Sequence, residues 1–250
     1  MHGVDKGNAG STYMGKNLIQ QRRGRGTPRY LAPSHRYFVK LTYPQSQAPS
    51  KGIIKDLIHH QAHSAPIAIV EFENKESIYI PAPQKVRVGE EVYYNQKEKT
   101  SPGSILPLSE IPEGTPIYNI EKYPNYNQST FCRTAGSIAR VISRTKDFVT
   151  VQLPSKKEKK FHPGCRATIG EIAGTGKQEK PILKAGKKHY MMKAKNKLYP
   201  ITSGVAMNAV DHPFGSGRGR HKGKPTIAPK YAPAGRKVGM IRARRTGHKR

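Results

Sequence analysis

Residues 206–224 read AMNAVDHPFGSGRGRHKGK. Asp211 stands beside His212, and a carboxylate that orients an imidazole is the usual core of a general base. The pair lacks the rest of such a site. No Ser or Cys nucleophile sits in a recognisable elbow, and a glycine-rich cationic loop is a poor wall for a pocket. The same stretch ends in GSGRGR (215–220), which is not the phosphate-cradling G-x-x-x-x-G-K-[ST]. Alternating glycines do let a backbone come close to a phosphodiester. Arg218 and Arg220 then offer forked donors, and His212 and His221 can bond phosphate or 2′-hydroxyl groups.

Two further groups could hold a metal. IHHQAH brings His59, His60 and His63 together, and HPGC (162–165) pairs a histidine with a thiol. Zinc needs three or four ligands and a supporting shell, and no acidic residue stands at a useful spacing. These histidines are expected to be surface or RNA-facing groups, with no metal and no cofactor. Cys132 and Cys165 make neither a disulfide framework nor a C-x-x-C pattern, so reduced thiols are expected.

Charge decides what those residues face. The chain has 250 residues and a formal net charge of +29, with a pI of about 10.2. Residues 1–40 are net +7, residues 41–175 net +4 and residues 176–250 net +18. A nearly neutral middle is flanked by two cationic ends that need a polyanion to lie on, nucleic acid first. No apolar run approaches the ~20 residues of a membrane span, and the N-terminus lacks the apolar centre of a signal peptide. A soluble, cytoplasmic protein with no membrane partner and no small-molecule substrate is expected.

The elements that must position these groups are short strands. RYFVKLTY (36–43), KGIIKDLIHH (51–60), APIAIVEFE (65–73) and SIYIPA (77–82) are rich in β-branched and aromatic residues, and KVRVGEEVYY (85–94) alternates with period two. Ser101, Pro102 and Gly103 mark a turn. A second series follows in PIYNIE, in GSIARVISR (136–144) paired with DFVTVQLP (147–154), in KKEKKFH and in CRATIGEIA. Two small antiparallel β modules result, at 36–99 and 100–175. The arm at 1–35 has no apolar periodicity and should be extended. Beyond 175 the chain is basic and irregular, with one short helix near 184–194. After Pro200 too few large apolar residues remain for it to order itself.

The sequence also resembles a known family, that of the second-numbered protein of the large ribosomal subunit (ribosomal protein L two). GVAMNAVDHPFGSGRGRHKGKP (204–225), ILPLSEIPEGTPIYNIE (105–121), CRATIGEIAG (165–174), APAGRKVGMIRARRTG (232–247) and RGRGTPRYLAPSHR carry the resemblance over roughly 15–250. KPILKAGKKHY and APAGRKVG are similar to the archaeal and eukaryotic branch. The resemblance implies an all-β fold: an extended basic N-terminal arm (1–35), an OB-type RNA-binding barrel (36–99), an SH3-like barrel (100–175) and an extended basic C-terminal tail (176–250). It implies binding to large-subunit ribosomal RNA near the peptidyl-transferase region, contacts with other ribosomal proteins and with the small subunit, and a part in subunit association and tRNA placement. His212 falls on a histidine that has been proposed to support peptide-bond formation. Three positions depart from the pattern: Ala209 stands where many members have proline, Phe214 replaces a second histidine of bacterial members, and Ser216 interrupts a glycine run.

The expected function is therefore a structural RNA-binding component of the ribosome and not an enzyme, with His212 structural. Expected RNA contacts are Arg22, Arg23, Arg25 and Arg29 in the arm. In the tail they are His212, Arg218, Arg220, His221, Lys222, Lys224, Arg236, Lys237, Arg242, Arg244 and Arg245. Most should touch phosphate and position the chain, leaving specificity to RNA shape. Two other classes stay open, an exchangeable RNA-binding translation factor or RNA chaperone, and a metal- or Asp-His-dependent enzyme.

Overall fold

The computed structural model describes residues 15–46, 48–177 and 179–241. The chain divides into two compact units. One is Ser34–Lys184; the other joins the chain up to Pro33 with the chain from Ala185 onward. The described residues are mostly strand and turn with few helices, as an all-β class requires, and no helix among them is long and apolar enough to cross a membrane.

The unit Ser34–Lys184 carries twelve strands: β1 (Ser50–Ile58), β2 (Ile67–Phe72), β3 (Ser77–Pro81), β4 (Glu91–Tyr94), β5 (Ile105–Pro107), β6 (Pro116–Tyr118), β7 (Ile120–Glu121), β8 (Ser129–Phe131), β9 (Ala139–Arg144), β10 (Val149–Gln152), β11 (Glu158–Phe161) and β12 (Arg166–Ile169). Ten of them form one sheet in the order β11-β10-β9-β6-β12-β5-β4-β1-β2-β3, and β7 pairs with β8 alone. The two halves of the sheet meet at a single parallel step, Tyr94 opposite Ile105, and every other ladder is antiparallel.

Each half has its own apolar cluster. Ile54, Val70, Phe72, Ile78, Ile80 and Val92 bury the faces of β1–β4. Leu106, Ile117, Val141, Val149, Val151 and Ile169 do so for the later strands. Alternation explains β3 and β4, where Ile78, Ile80, Val92 and Tyr94 point inward. β12 is buried at all four positions: Ala167 and Ile169 join the later apolar cluster, and Arg166 and Thr168 point to buried polar partners.

Several sequence expectations are corrected here. Residues 36–43 form no strand. Val39, Leu41 and Tyr43 are buried at alternating positions, yet the segment touches a ladder only at the Thr42–Gln128 bridge. Its period of two records a buried face, not strand pairing. The alternation over 85–94 is strand only from Glu91; Lys85 and Gly89 take left-handed conformations that break the earlier part. PIYNIE splits into β6 and β7 at left-handed Asn119. The arm is not extended throughout: α1 spans Ile19–Gly24, and its first turn is closed by Gln21 Oε1, which accepts the Leu18 N–H at 2.8 Å. The helix expected near 184–194 is α2 (Ala185–Ala194).

One polar cluster lies inside the Ser34–Lys184 unit. Arg166 and Glu121 are 5% and 0% exposed. Arg166 Nε donates to Glu121 Oε2 (3.1 Å) and Nη2 to Oε1 (2.6 Å). Nη2 also donates to Asn127 Oδ1 (2.6 Å), and Nη1 donates to Pro44 O (2.8 Å) and the Tyr94 hydroxyl (2.9 Å). All five guanidinium N–H donors are thereby used. Burial pulls this guanidinium's pKa down, and the bonds to Glu121 and Tyr94 more than offset that. Beneath it the Tyr43 hydroxyl bonds Asn119 O and Thr168 Oγ1.

Arg166→Ala should cost about 3–5 kcal/mol, because it strands a carboxylate inside the fold. Urea unfolding would read this as a lower midpoint, and Arg166→Lys should recover only part of it, since an ammonium cannot reach the same fork of acceptors. A chain ended after Ser203 should keep a single cooperative transition, since both strand clusters lie before that point; a broad, non-cooperative melt would contradict it.

Candidate nucleic-acid interface

The unit that joins the arm and the tail is built on four apolar side chains. Leu18, Phe214 and Val238 are buried together, with Val205 packed against them. Lys16 N–H donates to Val210 O (2.8 Å), and Asn196 Nδ2 donates to Pro28 O and Leu31 O (2.8 and 2.6 Å). The tail, expected to be too poor in apolar residues to order itself, packs here with the arm. The tail has few such residues, but the arm supplies Leu18, and Phe214 fills the centre.

The segment 207–216 closes on itself. Asp211 and His212 N–H both donate to Asn208 O, Gly215 N–H to His212 O, and Ser216 N–H to Met207 O at 3.1 Å. Gly215 lies so close to the Met207 and Asn208 carbonyls that a Cβ there would strike backbone. The glycine therefore allows the closure.

Within that loop Asp211 and His212 are not a catalytic pair. His212 Nδ1 accepts the Phe214 N–H at 3.0 Å, so this nitrogen is an acceptor and cannot donate to a carboxylate. Asp211 faces Lys16 at 3.9 Å instead. The imidazole lies 5.2 Å from the Phe214 ring centre and against the Cα of Gly204. Burial lowers its pKa below the ordinary 6.5, which keeps it neutral near pH 7.

Around this frame the expected contact residues fall into three groups. Arg22, Arg25 and Arg29 line one cleft of about 810 Å³, with Tyr30, Asn208 and Asp211 on its walls. Arg22 is held there by its Nε, which donates to Asn17 O (2.9 Å). Arg23 lies in α1 and is not among that cleft's lining residues. His212, Lys224 and Arg236 line a second cleft of about 460 Å³ with Lys16 and Leu18. The third group is exposed on irregular backbone: Arg218, Arg220, His221, Lys222 and Lys237. Lys222 and Arg236 both approach the Phe214 ring, each 5.9 Å from its centre, and Arg236 Nη2 donates to Pro225 O (3.1 Å). Arg242, Arg244 and Arg245 lie outside the described residues.

Sequence reasoning passes over Lys16, which lines the second cleft; its signal is weak, since it stands alone before an uncharged stretch. The other candidates have ordinary structural roles. His60 is buried against Tyr37, Phe38 and His63, and its Nδ1 accepts the Ala62 N–H. His162 Nδ1 accepts the Gly164 N–H in a turn. No cluster of three or more metal-ligating side chains occurs among the described residues. Cys132 and Cys165 are free thiols, and burial pushes both up to about 11.

Comparison with known proteins gives a consistent result. A family model described as Ribosomal Proteins L2, C-terminal domain, matches residues 101–231. The large ribosomal subunit protein uL2 of Methanothermobacter thermautotrophicus is 49% identical over 95% of this chain and 100% of its own length. That of Methanococcoides burtonii is 49% identical over 94% and 99%, and that of Haloquadratum walsbyi is 46% identical over 94% and 97%.

Gly204→Ala should drive the imidazole out of its seat and loosen 204–216, seen as faster amide exchange there with the strands of 34–184 unchanged. The His212 ring should titrate below 6.5 by NMR. Because folding lowers this pKa, its contribution to stability is complete above pH 6.5. It is lost as pH falls from there through the folded value.

Proposed function

Because this chain belongs to the ribosomal protein L2 family, we propose that it is a structural constituent of the large ribosomal subunit in the cytoplasm and holds large-subunit ribosomal RNA through its arm and tail. The observation that carries this reading is the arrangement of cations in the unit built from arm and tail. A loop closed on its own backbone and a core around Phe214 are followed by the exposed Arg218, Arg220, His221 and Lys222, while Lys224 and Arg236 line one cleft and Arg22, Arg25 and Arg29 another. Such an array of cations suits several phosphates at once. It offers little that would read base edges, so it would position the protein on folded RNA.

The finer reading follows from the family. Residues 36–99 act as an OB-type barrel and 100–175 as an SH3-like barrel, flanked by the arm at 1–35 and the tail at 176–250. The RNA it meets lies near the peptidyl-transferase region. Other ribosomal proteins and the small subunit are its neighbours, and it supports subunit association and tRNA placement. His212 serves this as a structural group: its Nδ1 is committed to the Phe214 N–H and Asp211 is turned to Lys16.

Sedimentation of ribosomes at high salt is the test. The protein should remain with the large subunit at about one copy each, since many phosphates are held at once. Complete release from intact subunits would identify an exchangeable factor instead. Arg218→Ala with Arg220→Ala should weaken RNA binding. It should also flatten the plot of log affinity against log salt, by about 0.7–0.9 for each phosphate that the two arginines neutralise in the wild type.

A further inference from the structure

Tyr123 and Tyr126 stand apart from the other tyrosines of the Ser34–Lys184 unit. Tyr43, Tyr94 and Tyr118 are buried in it, whereas Tyr123 and Tyr126 are 55% and 54% exposed. Both lie in the loop that joins β7 to β8. Their rings meet edge to face, with centres 6.3 Å apart and planes at 80°. The Lys122 ammonium sits 4.8 Å from the Tyr123 ring centre.

The loop is exposed but firmly tied. Asn127 O accepts the Tyr43 N–H (2.9 Å), and Asn127 Oδ1 accepts Arg166 Nη2 (2.6 Å). Gln128 bridges to Thr42, and Asn125 and Asn127 hold left-handed turns. The chain at the base of the loop is thus fixed by the buried arginine. The two rings are carried on this base, so a ligand would not have to order the loop first.

We propose that Tyr123 and Tyr126, with Lys122, form a stacking site for unpaired nucleobases of RNA. An edge-to-face pair leaves ring surface free for a base, and base–aromatic stacking tolerates any sequence. The cation selects the partner. Glu121, the adjacent acid, is buried and committed to Arg166, so it does not neutralise Lys122 at the surface. An apolar protein surface closing over the tyrosines would strand that ammonium without a partner. A nucleotide brings a base for the rings and a phosphate for the ammonium together. The site belongs to the Ser34–Lys184 unit, not to the arm or tail, and rests on the reading of this chain as an RNA-binding protein.

The test uses the full chain and a single-stranded RNA oligomer carrying 2-aminopurine, whose fluorescence falls when it stacks. The wild type should quench it. Tyr123→Ala with Tyr126→Ala should abolish most of the quench and bind about fivefold to a hundredfold more weakly. The salt dependence should stay as in the wild type, because every cation is kept. Tyr123→Phe with Tyr126→Phe should keep both quench and affinity, which separates stacking from hydroxyl chemistry and from misfolding. If the double alanine variant quenches and binds like the wild type while the wild type binds tightly, this site is overturned and the ribosomal reading stands. Unchanged RNA binding with loss of a neighbouring protein from assembled subunits overturns it in favour of a protein partner. A wild-type chain that binds no RNA overturns both.

Discussion

The Arg166–Glu121 pair is the constraint on which the Ser34–Lys184 unit depends. A charged pair at such depth carries a desolvation cost of several kcal/mol per ion, which only full hydrogen bonding offsets. Arg166 meets that condition by drawing acceptors from both halves of the sheet. Pro44 and Tyr94 belong to the first half, and Glu121 and Asn127 to the second. The halves share one strand step, Tyr94 opposite Ile105, and the short bridges Thr42–Gln128 and Pro83–Ile172, so the buried guanidinium adds to a backbone pairing that is itself brief. The guanidinium supplies direction where apolar packing supplies only area.

The unit of arm and tail solves a different problem. It carries most of the charge on very little apolar surface, and self-repulsion opposes any compact form. Four apolar side chains, Phe214 among them, and a loop whose carbonyls take up its own N–H groups, are what hold it. Such a core is small beside those of the strand unit, so its order is easily shifted by what binds it. The neutral His212 fits this setting: a further positive charge beside Lys16, Lys224 and Arg236 would add to the repulsion.

Much of this is legible in the residues, and what is not has identifiable causes. The strands from 50 to 81 and from 139 to 169 follow from β-branched runs bounded by turns, and the 139–152 hairpin can be placed from its spacing. Residues 36–43 mislead because burial on alternate sides looks the same whether the backbone pairs or merely covers a sheet. Helix α1 is hidden because its cap is a glutamine side chain bonding to a leucine backbone, not a recognisable capping residue. The long motif around Asp211 and His212 can be tied to a family from sequence, but the direction of the histidine's hydrogen bond cannot. Nor can Arg166 be singled out. In CRATIG it reads as an ordinary surface cation, and its partners lie 39 to 122 positions away.

Those separations bear on how the chain is made. Protein synthesis runs from the N-terminus, so β1 to β4 emerge well before β12. They can gather their apolar face early, but the Pro44 carbonyl and the Tyr94 hydroxyl must wait for residue 166 to receive their donor. Glu121 waits as well, as a carboxylate with no cation to meet it. The first half therefore cannot complete its polar bonds until some seventy further residues have followed Tyr94, and its pairing with the chain at 171–173 comes later still.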